Sequence, residues 1–430
     1  MDLQITSGSF KGGELIAPAS KSQSQRALIF ASMASGESEL INVLQSPDIF
    51  AMITACEAMG AKILCQESGR YSVTGISGYP KLCSSRINVG GSGQVLRFFP
   101  AIALCAFNEF SLFGDESVAK RRSMADLLTG LGQLGINFDY LDRVGYAPVN
   151  LKGKLSPGFV SVKGYDSQVV SALLIAASYL GGVTTIKVTE PGELPWVKLT
   201  QCWLGDQVEY SAKNTSNIYK VTGKRLHEPF SYTVPGDFSS IAYFVAVAAI
   251  LGKPLKIDGL DWSQPQGDKI FIDILIKLDK NKVIEKTRSG LIVKGQMRLE
   301  SNLTIDVNEC IDMVTILAVI GCFANGILEI TGAKVATEKE SNRLLAISTE
   351  LKKMGADISV KEDGLVIRGL VPIKGADCHS WQDHRVAMAL TIAALGASGD
   401  SIIREAACIE KSNANFYREL NRLGVKIAVI

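Results

Sequence analysis

Gly236-Asp237-Phe238-Ser239-Ser240 opens a run that stays apolar from Ile241 to Leu251 and stops at Gly252. A polar cluster ahead of a long apolar stretch, closed by a turn-forming residue, spells a buried helix with a defined start and stop. The same phrase occurs five more times. Its other openings are Ser22, Gly93, Asp166, Ile311 and Asp383, so the six follow one another at intervals of 71, 73, 71, 74 and 72 residues. This is a sixfold internal repeat. Solenoid units are usually shorter, so each repeat reads as a small βα subdomain of a closed architecture.

A second series runs in step with the first. Amphipathic helices close in a Leu/Met-Gly turn followed by a strand-like stretch at Met59-Gly60-Ala61, Leu134-Gly135-Ile136, Met354-Gly355-Ala356 and Leu423-Gly424-Val425. Glycine serves there as the helix stop. The third and fourth copies, near Gly205 and Leu278, have degenerated. The most apolar run, Met313 to Ile330, is broken by Gly321, Asn325 and Gly326 and is read as a buried helix of the repeat, not a membrane span.

With 430 residues, six units group most simply as three plus three. The hydrophobic fraction of 47% supports sizeable cores, and a net charge of +2 gives a nucleic-acid surface no support. The nine cysteines are scattered without a Cys-x-x-Cys pair, which fits buried free thiols in a reducing compartment. Met1 to Ser7 has neither the basic stretch nor the apolar core of a secretory signal, so a cytoplasmic protein is expected, with no nucleic-acid or membrane partner.

The helix openings are rich in groups that bind anions or move protons. Lys21, Ser22 and Arg26 surround the first, Gly90 to Gly93 with Arg97 the second, and Ser167-Gln168 the third. Asp237 with Ser239-Ser240 opens the fourth, Asp312 sits in the fifth, and Asp383-His384-Arg385 opens the sixth. Helix N-termini carry unbonded N–H groups and a partial positive charge, which favour phosphate and carboxylate. Plainer readings stand beside this one. Ser22, Ser167 and Asp237 also suit ordinary helix caps, and Lys339-Glu340 with Arg343 suits a solvated helix face. The glycines of Gly90 to Gly93 lack P-loop and dinucleotide spacing, and Cys378, His379 and His384 lack metal-ligand spacing. Recurrence in phase favours the functional reading.

At these residues the chain resembles the enolpyruvyl transferase family, in its branch acting on shikimate 3-phosphate. The likeness spans nearly the whole length. It rests on Pro18-Ala19-Ser20-Lys21-Ser22 with Arg26, on Arg97, on Ser167-Gln168, and on Gly236-Asp237-Phe238-Ser239-Ser240. It continues through Ile311-Asp312, Lys339-Glu340-Ser341-Asn342-Arg343, Asp383-His384-Arg385-Val386-Ala387-Met388 and Lys411. The resemblance implies a two-domain inside-out α/β barrel of six βαβαββ repeats. Residues 20–234 would form one domain, and 1–19 with 235–430 the other, around an active site in the interdomain cleft. The reaction implied moves the enolpyruvyl group of phosphoenolpyruvate to the 5-hydroxyl of shikimate 3-phosphate, releasing phosphate, in a monomer without cofactor or metal.

By the same resemblance, phosphoenolpyruvate would be held by Lys21, Gly93 through its N–H, Arg122, Gln168, Arg343, Arg385 and Lys411, with Arg121 the fallback for Arg122. Shikimate 3-phosphate would be held by Lys21, Ser22, Arg26, Ser167, Gln168, Asp312 and Lys339. Asp312 would act as base, Glu340 as acid and Lys21 as their aid, supported by His384 and Arg97. The chain departs from the family pattern in several places. Asp166 and Glu193 replace serines expected near the acceptor phosphate, Trp196 a tyrosine, Val335 an asparagine, Gly91 and Gln94 an asparagine and a threonine, and Phe98 and Ser123 two prolines. Two carboxylates repel a phosphate unless protonated, turned away or neutralised, and Lys163, Lys198 or Lys339 are candidates for neutralising them. The favoured explanation is a divergent branch of the same synthase; the alternative is a paralogous enolpyruvyl transferase with a different acceptor. The sister family acting on UDP-N-acetylglucosamine fits less well, since Asp115 to Ser123 lacks its reactive cysteine. A non-catalytic scaffold would not need Asp312 and Glu340.

Overall fold

The computed structural model describes residues 1–213, 215–224, 227–299, 302–369 and 371–430. They form two compact units, Ala19–Pro235 and Met1–Pro18 with Gly236–Ile430.

In the Ala19–Pro235 unit the repeated openings lead into the helices Lys21–Met33, Gly93–Ala103 and Ser167–Tyr179, which are buried along nearly their whole length, the first of them with its polar first turns included. Of Gly93–Ala103 only Gln94 escapes burial. The second series gives the helices Pro47–Ala58, Ala125–Gln133 and Leu194–Leu204. Three four-stranded sheets complete the unit, each with one parallel pair and two antiparallel pairs. One of them sets Arg86–Asn88 beside Asn108–Phe113 in parallel, so that Ile87 faces Leu112. Ser231–Thr233 returns to pair with Glu37–Ile41 of the first repeat.

The other unit repeats the plan with the buried helices Phe238–Leu251, Val314–Cys322 and His384–Gly396. Its second series is Lys269–Leu278, Arg343–Lys353 and Phe416–Arg422. The chain start is sewn into two of its sheets. Leu3–Ile5 lies between Ser401–Arg404 and Ile427–Val429, and Gly13–Ile16 pairs with Leu255–Asp258. Three βαβαββ repeats with helices inside and sheets outside make each unit half of an inside-out α/β barrel fold.

Several sequence readings need correction. The apolar run from Met313 is not one helix: Val314–Cys322 is helical, and Ile327–Thr331 is a strand reached through Gly326 at φ 142°. Ile311 opens no α-helix, because Asn308–Met313 is a 3-10 turn interrupted at Cys310 (φ −137°, ψ 49°). The caps of the first and third helices are Ser20 and Asp166, not Ser22 and Ser167, whereas Asp237 does cap its helix. Both degenerate copies remain helices. Leu194–Leu204 still stops at a left-handed Gly205. Lys269–Leu278 stops at Asp279, whose carboxylate accepts from the N–H groups of Asn281, Val283 and Arg298 at 3.0, 2.7 and 2.9 Å. All nine cysteines are free, but Cys65, Cys83 and Cys202 are exposed.

Candidate active site

In the Ala19–Pro235 unit, the buried helices begin with caps that leave their first-turn side chains for other work. Ser20 accepts from Gln23 N–H and Asp166 from Gln168 N–H at 2.9 Å. Lys21 pairs with Asp48 at 3.2 Å. Ser22 Oγ accepts from Gln94 Nε2 at 3.3 Å. Arg26, one turn on, is buried. It donates to Thr200 Oγ1 (2.9 Å), Ser22 O (3.1 Å), Trp196 O (3.3 Å) and Ser171 Oγ (3.4 Å), and lies over the Phe98 ring at 5.3 Å. No carboxylate among the described residues pairs with it, and burial lowers its pKa to about 9. A buried cation without a counter-ion is costly, which leaves a place for an outside anion.

Gly93 lies against Arg122. A Cβ there would meet Arg122 Nη1 at 2.1 Å, so the missing side chain is what admits the guanidinium. Arg122 is buried while neighbouring Arg121 is exposed. Arg97 donates to the carbonyls of Gly93 and Ser123 and forms a 3.0 Å ion pair with Asp166. Asp166 is thus neutralised by Arg97. Lys163 is engaged with Glu190 at 3.3 Å. Gln168 turns a buried Oε1 that has no hydrogen-bond partner among the described residues. Glu193 is buried and accepts from Ser167 N–H at 3.0 Å and from Ser167 Oγ–H at 2.9 Å.

In the other unit one guanidinium organises the site. Arg343, fully buried at the first position of its helix, donates to Asp383 (2.8 Å), Glu340 (2.8 Å) and Asp312 (2.5 Å). The bland reading of Lys339, Glu340 and Arg343 as a solvated helix face therefore fails for Glu340 and Arg343. Arg385 Nη2 grips the second oxygen of Asp312 at 3.0 Å, while its Nε and Nη1 are buried without a hydrogen-bond partner among the described residues. Burial works against the Asp312 charge, but Arg385, Arg343 and Lys339 outweigh it and hold the carboxyl far below the usual range. His384 Nδ1 stands 3.8 Å from Glu340. Lys411 lies on the short helix Glu410–Asn413, part-exposed.

Glu340, Asp383 and His384 bring one ligand atom each to within 4.8 Å of one another. Arg343 already occupies both carboxylates, and a guanidinium there repels a dication, so the trio is an ion-pair network. Sequence reading missed Asp48, Thr200 and Ser171, whose roles exist only across helices. It also missed Asp268, buried against Ser239, whose carboxyl burial and the nearby Asp312 charge push up to about 7.

Buried arginines served by internal carboxylates, set at the starts of repeated buried helices, define an enzyme of multiply anionic substrates on an enolpyruvyl transferase fold. The family model described as EPSP synthase (3-phosphoshikimate 1-carboxyvinyltransferase) matches residues 6–420, and the chain belongs to that family. It is 40% identical to the 3-phosphoshikimate 1-carboxyvinyltransferase of Chlamydia felis over 418 residues, covering 96% of this chain and 92% of that one. It is 35% identical to that of Methanocaldococcus jannaschii over 97% of each. The EPSP synthase structure from Acinetobacter baumannii matches with TM-score 0.80 and 25% identity, covering 100% of both chains. The activity is therefore that of a 3-phosphoshikimate 1-carboxyvinyltransferase. These relatives lend no support to the paralogue with another acceptor.

Proposed function

We propose that the named side chains of both units act on one pair of substrates, phosphoenolpyruvate and shikimate 3-phosphate, in a cytoplasmic monomer that needs no metal or organic cofactor. The observation that carries this is the Arg343–Arg385 pair closed on Asp312, with two Arg385 donors that have no hydrogen-bond partner among the described residues. Guanidinium forks suit carboxylate and phosphate oxygens. Phosphoenolpyruvate takes Arg343 and Arg385 in this reading, with Lys21, Arg122, Gln168, Lys411 and the Gly93 N–H. Shikimate 3-phosphate supplies the missing counter-ion of Arg26 beside Ser22, and sets its phosphate at Ser167, with Lys21, Gln168 and Lys339 completing its contacts.

A carboxylate clamped by two arginines is a poor base. When substrate anions draw Arg343 and Arg385 away, Asp312 regains basicity and takes the 5-hydroxyl proton as that oxygen bonds to C2 of phosphoenolpyruvate. Glu340 delivers a proton to C3, with Lys21 assisting, which gives a tetrahedral intermediate. The carboxylate left on Glu340 then recovers a proton from the methyl group as the C2–O bond to phosphate breaks, the departing phosphate takes the proton held on Asp312, and the double bond re-forms. Arg97 holds the Gly93 turn, and His384 stands beside Glu340.

Phosphate release from phosphoenolpyruvate, measured in parallel with shikimate 3-phosphate, unphosphorylated shikimate and UDP-N-acetylglucosamine, tests this. Turnover with shikimate 3-phosphate alone is expected. Turnover with either other acceptor and not with shikimate 3-phosphate would overturn it.

A further inference from the structure

Glu193 is the part of this site that the family reaction does not account for. It is buried and accepts from Ser167, the first residue of a thirteen-residue helix, through the N–H at 3.0 Å and the hydroxyl at 2.9 Å. Those are the two donors an incoming phosphate would use at a helix N-terminus. A side-chain carboxylate already sits there as an internal anion. Asp166 is tied to Arg97 and to its capping N–H, so it is compensated in place.

The backbone points the same way. Glu193 is held left-handed at φ 48°, ψ 38°, a conformation that costs a non-glycine residue on the order of 1 kcal/mol. Gly192 lies so close to Tyr165 that a Cβ would meet its carbonyl oxygen at 2.9 Å, which fixes the approach of the loop, and Leu194 begins the next helix with Pro195 in its first turn. Release of Ser167 therefore falls to Glu193 itself, and relaxation of its strained φ favours that release.

Resting on the placement of the acceptor phosphate at Ser167, we propose that Glu193 is a specificity-determining residue: an internal stand-in anion that the acceptor's phosphate must displace from Ser167. It sets the acceptor's affinity without touching the phosphoenolpyruvate contacts. An acceptor lacking the phosphate leaves Glu193 in place and bears none of that cost, so Glu193 narrows the margin by which phosphorylated acceptors are preferred.

The test compares wild type with Glu193→Gln and Glu193→Ser, reading initial rates against each substrate in turn. Charge-assisted hydrogen bonds of this kind set the scale, so KM for shikimate 3-phosphate should fall about tenfold in both variants, while KM for phosphoenolpyruvate and kcat stay within about twofold. Folded variants with unchanged or higher KM for shikimate 3-phosphate would overturn the proposal and leave Glu193 a structural cap. Should the variants not fold, a crystal structure of wild type with shikimate 3-phosphate decides: Glu193 out of bonding range of Ser167 supports displacement, and Glu193 still bonded there refutes it. Failure of the underlying reading shows separately, as absent wild-type turnover. Inorganic phosphate, titrated by calorimetry, then still reads the seat, with tighter binding by Glu193→Ser supporting the proposal and equal binding overturning it.

Discussion

Asp312 and Gly93 illustrate how single positions are set by what surrounds them. Two guanidiniums lower the Asp312 pKa, so in the proposed mechanism it acts as a base only when substrate anions compete for the same arginines. Asp312→Asn should cut kcat by about 10²–10⁴-fold in the phosphate-release assay. The protein should remain folded, because Arg343 keeps Asp383 and Glu340. At Gly93 the constraint is steric. A methyl group would strike the Arg122 guanidinium, a flexible end that moves aside, so Gly93→Ala should fold normally yet displace a cation of the phosphoenolpyruvate seat. We expect its KM for phosphoenolpyruvate to rise by about tenfold, roughly 1.4 kcal/mol of binding. Glyphosate is expected to compete with phosphoenolpyruvate in the wild type and to inhibit this variant more weakly; unchanged steady-state inhibition would contradict the placement of Arg122.

Among the elements, the buried helices carry the sequence signal most cleanly, since capping and 3.6-residue periodicity are read within four residues of chain. Asp237 accepts from Ser240 N–H at 3.2 Å and from its hydroxyl at 2.7 Å. Asp237→Ala should cost about 1 kcal/mol and lower the unfolding temperature of its unit by about 2–4 °C. Where the reading failed, the cause was equally local. Cys310 breaks the helical path, so the fifth opening became a 3-10 turn that carries Asp312 ahead of its helix. The fourth amphipathic copy lost its glycine because Asp279 caps the turn with side-chain oxygens instead. Asp268, at the start of the Lys269–Leu278 helix, has its carboxyl raised from 3.8 to about 7 by burial and by Asp312. The folded state then holds a proton that the unfolded chain gives up, so this group's contribution to stability is full at low pH and is lost as pH rises from about 4 to about 7. Asp312, with its depressed pKa, acts below that window. Asp268→Asn should therefore gain stability relative to wild type across pH 4 to 7 in denaturant titrations; a constant difference would assign the raised pKa no thermodynamic weight.

For the molecule as a whole, the proposed roles are divided between the two units, with Arg26, Arg122 and Ser167 on one and Asp312, Arg343 and Arg385 on the other. Shikimate 3-phosphate with glyphosate, which does not react, should slow amide hydrogen exchange at the starts of both the Ser167–Tyr179 and the His384–Gly396 helices. Protection confined to one unit would break the assignment. No helix among the described residues is long and apolar enough to cross a membrane, in keeping with the interrupted run from Met313. The amino-acid sequence by itself determined the sixfold repeat, the buried helices with their polar openings, and the stock of cations at those openings, because all of these are written in spacings shorter than a helix or in strict recurrence. Only the tertiary structure decided which charge meets which. Asp166 found Arg97 and left Lys163 to Glu190, Arg26 found hydroxyls and carbonyls but no carboxylate among the described residues, and Glu193 found Ser167. Ion pairing acts through space between residues far apart in the chain, and its strength is set by burial, which no local pattern of residues records.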